Sequence, residues 1–291
     1  MTRRKPDTVA VIGGGRMGAG IAQVFATLGS TVTIVEAGDR DAAYGRIAKG
    51  LAVAATKGKL AGVTPDKVLS RVRVVAQIAD LPADSGLVIE AVPENLALKA
   101  DVLAAVEKAV GAQTVLATNT SSLAIGELGV VLTDPSRFVG MHFFNPVPAS
   151  SLVEIVRSET TSEATVTTVV DHVAALGKES IVVKDSPGFA TSRLGVALGL
   201  EAIRMLADGV ADPEGIDRAM ELGYRHAMGP LRSTDLVGLD VRLAIAEHLA
   251  STLGPRFEPP QLLRDKVSRG ETGRKAGQGF YTWDTAVKEA R

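Results

Sequence analysis

The stretch "VAVIGGGRMGAGIA", residues 9–22, runs a β-branched apolar segment into three spaced glycines and then into an alanine- and glycine-rich stretch that reads as a helix. Each glycine has a task. Gly13 permits a tight turn at the end of a strand, Gly15 lets the backbone approach a pyrophosphate, and Gly18 lets the helix lie close to the strand. The helix start directs N–H groups and positive potential at the same place. Eighteen residues after Gly18, Glu36 closes a second apolar run, "TVTIVE" (31–36). An acid there accepts bonds from both ribose hydroxyls of NAD and repels the 2′-phosphate of NADP. Met17 lies in the same turn and is counted with Gly13, Gly15, Gly18 and Glu36 as cofactor-binding. Arg40 is near enough in sequence to weaken the preference for NAD. The alternatives are a flavin or nucleotide-sugar site, or a glycine turn with no ligand, and the strand–turn–helix setting together with Glu36 favours a dinucleotide.

Outward from this turn, short β-branched runs alternate with helical stretches. The runs are 8–13, 31–36, 73–76, 87–92, 114–119, 138–143, 152–156 and 177–185, and the clearest helical stretches are 17–28, 40–58 and 94–110. Such alternation predicts βαβ units and a mostly parallel sheet. The runs 138–143 and 152–156 are joined too briefly for a crossover, which predicts an antiparallel hairpin. After "KDSPGF" (184–189) the texture changes. "SRLGVALGLEAIRMLADG" (192–209) has apolar residues at helical spacing and ends at glycine, two more helical stretches follow, and only "GFYTW" (279–283) reads as a short strand. The expected architecture is an α/β Rossmann-type dinucleotide-binding domain, 1–186, followed by an all-α C-terminal domain, 187–291.

Composition sets limits. The 291 residues are 46% hydrophobic and 22% charged, enough for one large or two medium cores. A net charge of -1 supplies no basic field for nucleic acid or an acidic membrane surface. There is no cysteine, hence no disulfide and no thiolate metal site, and a reducing compartment is compatible. The apolar run in "MTRRKPDTVAVIGGG" is too short for a signal sequence or a membrane span. A cytoplasmic protein without a metal is expected.

The segment "GMHFFNPVPASSLVEIV" (140–156) places His142 in one apolar run and Glu154 in another. A buried carboxylate is costly unless paired. If the two runs form a hairpin, Glu154 faces His142, fixes its tautomer and stabilises the imidazolium. The opposite reading has Glu154 on an edge strand pointing into water. His172, His226 and His248 read as structural or solvated. In "TNTSSL" (118–123), Ser121 follows a strand on the ligand side of such a sheet, although a Thr-Ser-Ser run also serves as a helix cap.

With "GGGRMGAGIA", "VIEAVPENLALK", "TNTSSL", "MHFFNPVP", "LVEIV", "KDSPGF", "MGPL…DLVGLD" and "GRKAGQGFY" in this order, the chain resembles the L-3-hydroxyacyl-CoA dehydrogenase family, most of all its short members acting on 3-hydroxybutyryl-CoA. The resemblance implies NAD-dependent, reversible oxidation of a 3-hydroxyacyl-CoA, a homodimer formed through the helical domain, and a place in fatty acid β-oxidation or related metabolism. It implies that His142, held by Glu154, moves the hydroxyl proton, and that Ser121 bonds the substrate oxygen. It gives Asn119, Asn145, Glu94, Lys99 and Lys275 to the cofactor, with Asn145 also near the substrate, and Lys57 to the CoA phosphates. Two positions depart from the family pattern. Ser192 stands where well-known members carry an asparagine that contacts the substrate carbonyl, and it is kept with the catalytic set. Gly50 stands where related enzymes have a CoA-contacting serine. Two other functions fit the same motifs: a dehydrogenase of a non-CoA 3-hydroxy acid or sugar acid such as L-gulonate, and a non-catalytic NADH-binding structural dimer.

Overall fold

The computed structural model describes residues 4–60 and 62–284, and the chain divides into two compact units, Met1–Ser186 and Pro187–Arg291.

The first unit is built on one eight-stranded sheet. Its strands are β1 (Thr8–Ile12), β2 (Thr31–Val35), β3 (Val72–Val75), β4 (Leu87–Glu90), β5 (Val115–Thr118), β6 (Phe138–Phe143), β7 (Leu152–Arg157) and β8 (Glu179–Lys184), in the order β3-β2-β1-β4-β5-β6-β7-β8. Neighbouring strands are parallel except β6 and β7, which form the antiparallel hairpin, and β8 runs parallel to β7. The central strands are buried on both faces, which is why they read as continuous apolar runs rather than alternating ones. Val9, Ala10, Val11, Leu87, Ile89 and Leu116 are all fully buried.

Around the sheet lie α1 (Arg16–Leu28), α2 (Arg40–Thr56), α3 (Pro65–Leu69), α4 (Leu96–Ala109), α5 (Ile125–Gly129) and α6 (Glu163–Ala175). Their starts are written locally. The side chains of Asp39, Thr64, Asn95 and Ser162 accept from the N–H groups of Ala42, Lys67, Leu98 and Thr165, and so cap α2, α3, α4 and α6. α1 stops at Gly29, whose φ of 102° is the left-handed conformation that glycine adopts at no steric cost. Phe25 and Ile21 on α1 and Ile47 and Leu51 on α2 are fully buried in the same core as Val9 and Ile34.

The second unit holds α7 (Thr191–Ala207), α8 (Pro213–Gly223), α9 (Pro230–Val237), α10 (Leu239–Leu253) and α11 (Gln261–Ser268) around a core of Val196, Leu200, Ile203, Leu231, Leu239 and Leu249. The expected strand at 279–283 is not formed, and only isolated bridges tie Gln278 to Gly273 and Thr282. The cause is a buried acid. Asp235 accepts from the backbone N–H groups of Phe280 (2.9 Å) and Tyr281 (3.0 Å) and from the Trp283 indole (2.7 Å), so donors that a strand would use sideways go to one carboxylate. Gly279 is required there, since a Cβ would lie 2.3 Å from Asp235 Oδ1.

Candidate active site

The glycine turn has the geometry its sequence demands. Gly13 takes φ 101° and donates to the Val35 carbonyl, and a Cβ added to it would meet the Ala91 carbonyl oxygen at 2.8 Å. A Cβ on Gly18 would lie 1.8 Å from the Gly13 carbonyl oxygen, so helix and strand pack at a distance only glycine allows. Gly15 is the reverse case. It is the N-cap of α1, and nothing lies within 4 Å of its Cβ position. That open space over a helix N-terminus is where a pyrophosphate fits. Glu36 follows β2, with Oε2 accepting from Gly14 N and Oε1 from Gly38 N, both at 2.8 Å. Each oxygen keeps a further lone pair for a ribose hydroxyl. Arg46, unremarked in the sequence, ties α2 to the turn by donating to the Gly14 carbonyl. These residues fit NAD.

His142 and Glu154 are direct cross-strand partners in the β6–β7 register. Opposed residues of an antiparallel pair share one face of the sheet. Glu154 is fully buried, His142 is 7% exposed, and Nδ1 lies 2.8 Å from Oε2. With the proton on Nδ1 donated to the carboxylate, the imidazole lone pair sits on Nε2. The Phe144 ring is tilted against the histidine, 4.4 Å between centroids. The hairpin is anchored from two sides. Phe143 N donates to Asn119 Oδ1 at 2.9 Å, joining the end of β6 to the end of β5. Lys178 donates to the carbonyls of Val147 (2.7 Å) and Ser150, and burial pushes its ammonium pKa down. Lys178 was not legible as part of the site, because a lysine preceding a strand reads as a surface charge.

The "NTSSL" loop after β5 is organised by Glu94. Its Oε1 accepts from Thr120 Oγ1 (2.6 Å), Ser121 N (2.9 Å), Ser122 Oγ (3.0 Å) and Ser122 N (3.2 Å). Burial pushes the Glu94 carboxyl pKa up, but the Thr120 bond, the Lys99 charge and the Ser121 and Ser122 bonds outweigh it and hold the group below its ordinary range. Lys99, which the motif resemblance gives to the cofactor, is 1% exposed on α4. Its ammonium donates to both oxygens of the fully buried Glu90 (2.7 and 2.9 Å) and to the Val92 carbonyl (3.1 Å), with Glu94 Oε2 at 3.3 Å.

The remaining candidates are more open. Asn145 and Lys57 are exposed, the latter as the C-cap of α2. Gly50 is explained by packing: a Cβ there would lie 2.2 Å from Gln23 Oε1, so the buried Gln23 side chain occupies the space a serine would need. In the second unit, Ser192 is half-buried in the first turn of α7, and Lys275 pairs with Asp240. His172 Nδ1 donates to the Arg4 carbonyl at 2.9 Å in a buried setting, while His226 and His248 are exposed. Among the described residues no cluster of metal-ligating side chains occurs, and no helix is long and apolar enough to cross a membrane.

β6 is parallel to β5, β4 and β1, so His142 stands at the same strand-end edge of the sheet as the glycine turn. Ligands of such sheets bind along that edge. Oxidising an alcohol by hydride transfer requires that the hydroxyl proton also leave, and a buried imidazole–carboxylate couple supplies the acceptor. Fold and site together define a nicotinamide-dependent dehydrogenase. The family description "3-hydroxyacyl-CoA dehydrogenase, NAD binding domain" matches residues 8–186, and "3-hydroxyacyl-CoA dehydrogenase, C-terminal domain" matches residues 188–283. The chain belongs to the 3-hydroxyacyl-CoA dehydrogenase family and is an NAD-dependent oxidoreductase. It is 40% identical over 279 residues to the 3-hydroxybutyryl-CoA dehydrogenase of Clostridioides difficile, covering 95% of this chain and 99% of that protein. Among solved structures it resembles the (S)-3-hydroxybutyryl-CoA dehydrogenase PaaH1 of Ralstonia eutropha (TM-score 0.91, 38% identity, 97% of this chain and 100% of that one). FadB2 of Mycobacterium tuberculosis is similar too (TM-score 0.90, 40% identity, 96% and 100%).

Proposed function

We propose that this chain reversibly oxidises short-chain L-3-hydroxyacyl-CoA thioesters, such as 3-hydroxybutyryl-CoA, to 3-ketoacyl-CoA with NAD. The observation that carries the reading is the buried His142–Glu154 couple. NAD supplies the hydride acceptor. His142 takes the hydroxyl proton on Nε2 and returns it in the reverse direction, while Glu154 holds the ring and balances the positive charge that the imidazole gains. Ser121 orients the substrate oxygen. The hairpin loop, fastened by Lys178 and Asn119, keeps the imidazole at one place on the strand-end edge.

Lys57 is the handle for the CoA phosphates, acting as an exposed point charge. Two copies pair through the helical unit. That reading is supported by the large apolar side chains the unit exposes, with Leu194 at 70%, Leu222 at 69% and Tyr224 at 75%. The absence of cysteine suits a cytoplasmic setting.

The test is turnover of acetoacetyl-CoA with NADH, followed by loss of NADH absorbance, for the wild type and for Lys57→Ala. The wild type turns over, and the variant raises the Michaelis constant for the thioester without changing that for NADH. No turnover with any 3-ketoacyl-CoA chain length refutes the reading. Turnover of a non-CoA 3-keto acid that is insensitive to Lys57→Ala replaces it with the non-CoA function.

A further inference from the structure

The glycine turn contains one peptide whose orientation its own side chains cannot set. Gly14 and Gly15 flank it, and with no Cβ on either side this plane turns more easily than one between residues with side chains. Gly14 itself is well fixed. Its N–H donates to Glu36 Oε2 at 2.8 Å, and a Cβ on it would lie 2.5 Å from the Ala43 Cβ, so α2 packs directly on this residue. Gly15 is exposed, and nothing lies within 4 Å of its Cβ position. The plane between the two is held through its oxygen. Arg46 Nη1 donates to the Gly14 carbonyl at 3.0 Å, and among the described residues no other group donates to it. Arg46 lies three residues after Ala43 on α2, so both occupy the helix face that meets the turn. The C=O and N–H of a trans peptide point in opposite directions. With the oxygen drawn toward α2, the Gly15 N–H faces away from it, beside the open space over the start of α1. It donates to no group among the described residues.

We propose that Arg46 is a positioning residue for the cofactor pyrophosphate: by holding the Gly14 carbonyl, it locks the Gly14–Gly15 peptide with its N–H toward the anion. Turned the other way, the peptide presents the Gly14 oxygen to the phosphates, and an acceptor facing an anion repels it. Without Arg46 the cofactor-free protein samples both orientations, and the dinucleotide binds only one of them. The inference rests on the assignment of Gly13, Gly15 and Gly18 to the cofactor and goes beyond it. It identifies what holds the turn in its binding form before NAD arrives.

The variant to use is Arg46→Met, at an exposed position, which keeps the stem and removes the donors. Binding is read by titration with NADH, with ADP and with adenosine, which lacks the pyrophosphate. The dissociation constants for NADH and ADP rise about tenfold, the scale of one charge-assisted hydrogen bond, while that for adenosine stays within about twofold. In the cofactor-free variant, backbone NMR relaxation shows motion at Gly15 N that the wild type lacks, while β1 and Gly18 are alike in both. Unchanged affinity for NADH and ADP overturns the inference. An equal loss for adenosine also overturns it, because the variant then distorts the whole adenosine site. Weaker NADH binding with no new motion at Gly15 means that the guanidinium meets the phosphates directly, and the positioning role is overturned. If NADH leaves the wild-type Gly15 resonance in place, the turn is not the pyrophosphate site, and the inference falls together with that assignment.

Discussion

His142 and Glu154 face each other across the β6–β7 hairpin, with the imidazole Nδ1 2.8 Å from the carboxylate Oε2 and the carboxylate wholly removed from solvent. Each answers the cost of the other. The carboxylate gains a partner that is a donor in either protonation state of the ring, and the ring gains a fixed tautomer and a counter-charge for the proton it takes up.

Glu154→Gln disturbs that relation at almost constant shape. An amide can turn its NH₂ toward Nδ1 and select the tautomer whose Nε2 is already protonated. The expected loss in kcat is about 10²–10⁴-fold, with unchanged NADH affinity. Steady-state kinetics together with NADH titration check it. A wild-type kcat would show that the carboxylate does not act on the histidine during turnover.

Glu36 decides between the two nicotinamide dinucleotides. Its oxygens are held by Gly14 N and Gly38 N, so its charge is fixed at the end of β2. Glu36→Ala lowers kcat/KM for NAD about 10–100-fold, from the loss of charge-assisted bonds to the ribose, and reduces the discrimination against NADP. Parallel rates with both cofactors check this, and an unaltered NAD to NADP ratio contradicts it.

Glu94 contributes stability that depends on pH in a definite direction. Its folded pKa is depressed, so its contribution is complete above the ordinary value of 4.5 and is lost as the pH falls through the folded value. The difference in urea stability between wild type and Glu94→Gln is therefore largest near neutral pH and shrinks below about pH 4.5. Equal differences at neutral pH and at about pH 3 contradict the ionised, hydrogen-bonded carboxylate.

Arg242 on α10 is a cost of the second unit. It is 6% exposed, and its Nε is sealed with no hydrogen-bond partner among the described residues. Burial pushes its pKa down to about 10. The buried carboxylates of that unit are engaged elsewhere, Asp217 with Leu231 N, Arg232 N and the Tyr281 hydroxyl, and Asp235 with the 280–283 segment. The side chain packs against Gly195 on α7, where a Cβ would lie 3.3 Å from Nη1. Arg242→Met keeps the stem and removes the charge, and it is expected to stabilise the protein by about 1–3 kcal/mol, read from the urea midpoint. A loss of similar size would mean that the guanidinium is paired in solution.

Much of the first unit was legible because its residues permit few alternatives. A turn with Gly13 at φ 101° and Gly18 against a carbonyl accepts no other residue, and ionisable groups inside apolar strands, His142 and Glu154, demand each other. What was not legible depends on pairs that only folding brings together. Glu90 and Lys99 lie nine residues apart, and a glutamate ending a strand and a lysine in a helix give no sign that they meet through two bonds while the lysine also donates to the Val92 carbonyl. "GFYTW" was misread as a strand for the same reason. Its β-forming side chains are visible in the sequence, and the Asp235 carboxylate that captures its N–H groups, more than forty residues earlier, is not.

The central claim is that His142 moves the proton while the glycine turn holds the cofactor. The most direct measurement is kcat for acetoacetyl-CoA reduction by His142→Ala beside the wild type, with NADH affinity determined by titration of each. The account predicts a fall in kcat of about 10²–10⁴-fold at unchanged NADH affinity. A variant that retains the wild-type rate would contradict it.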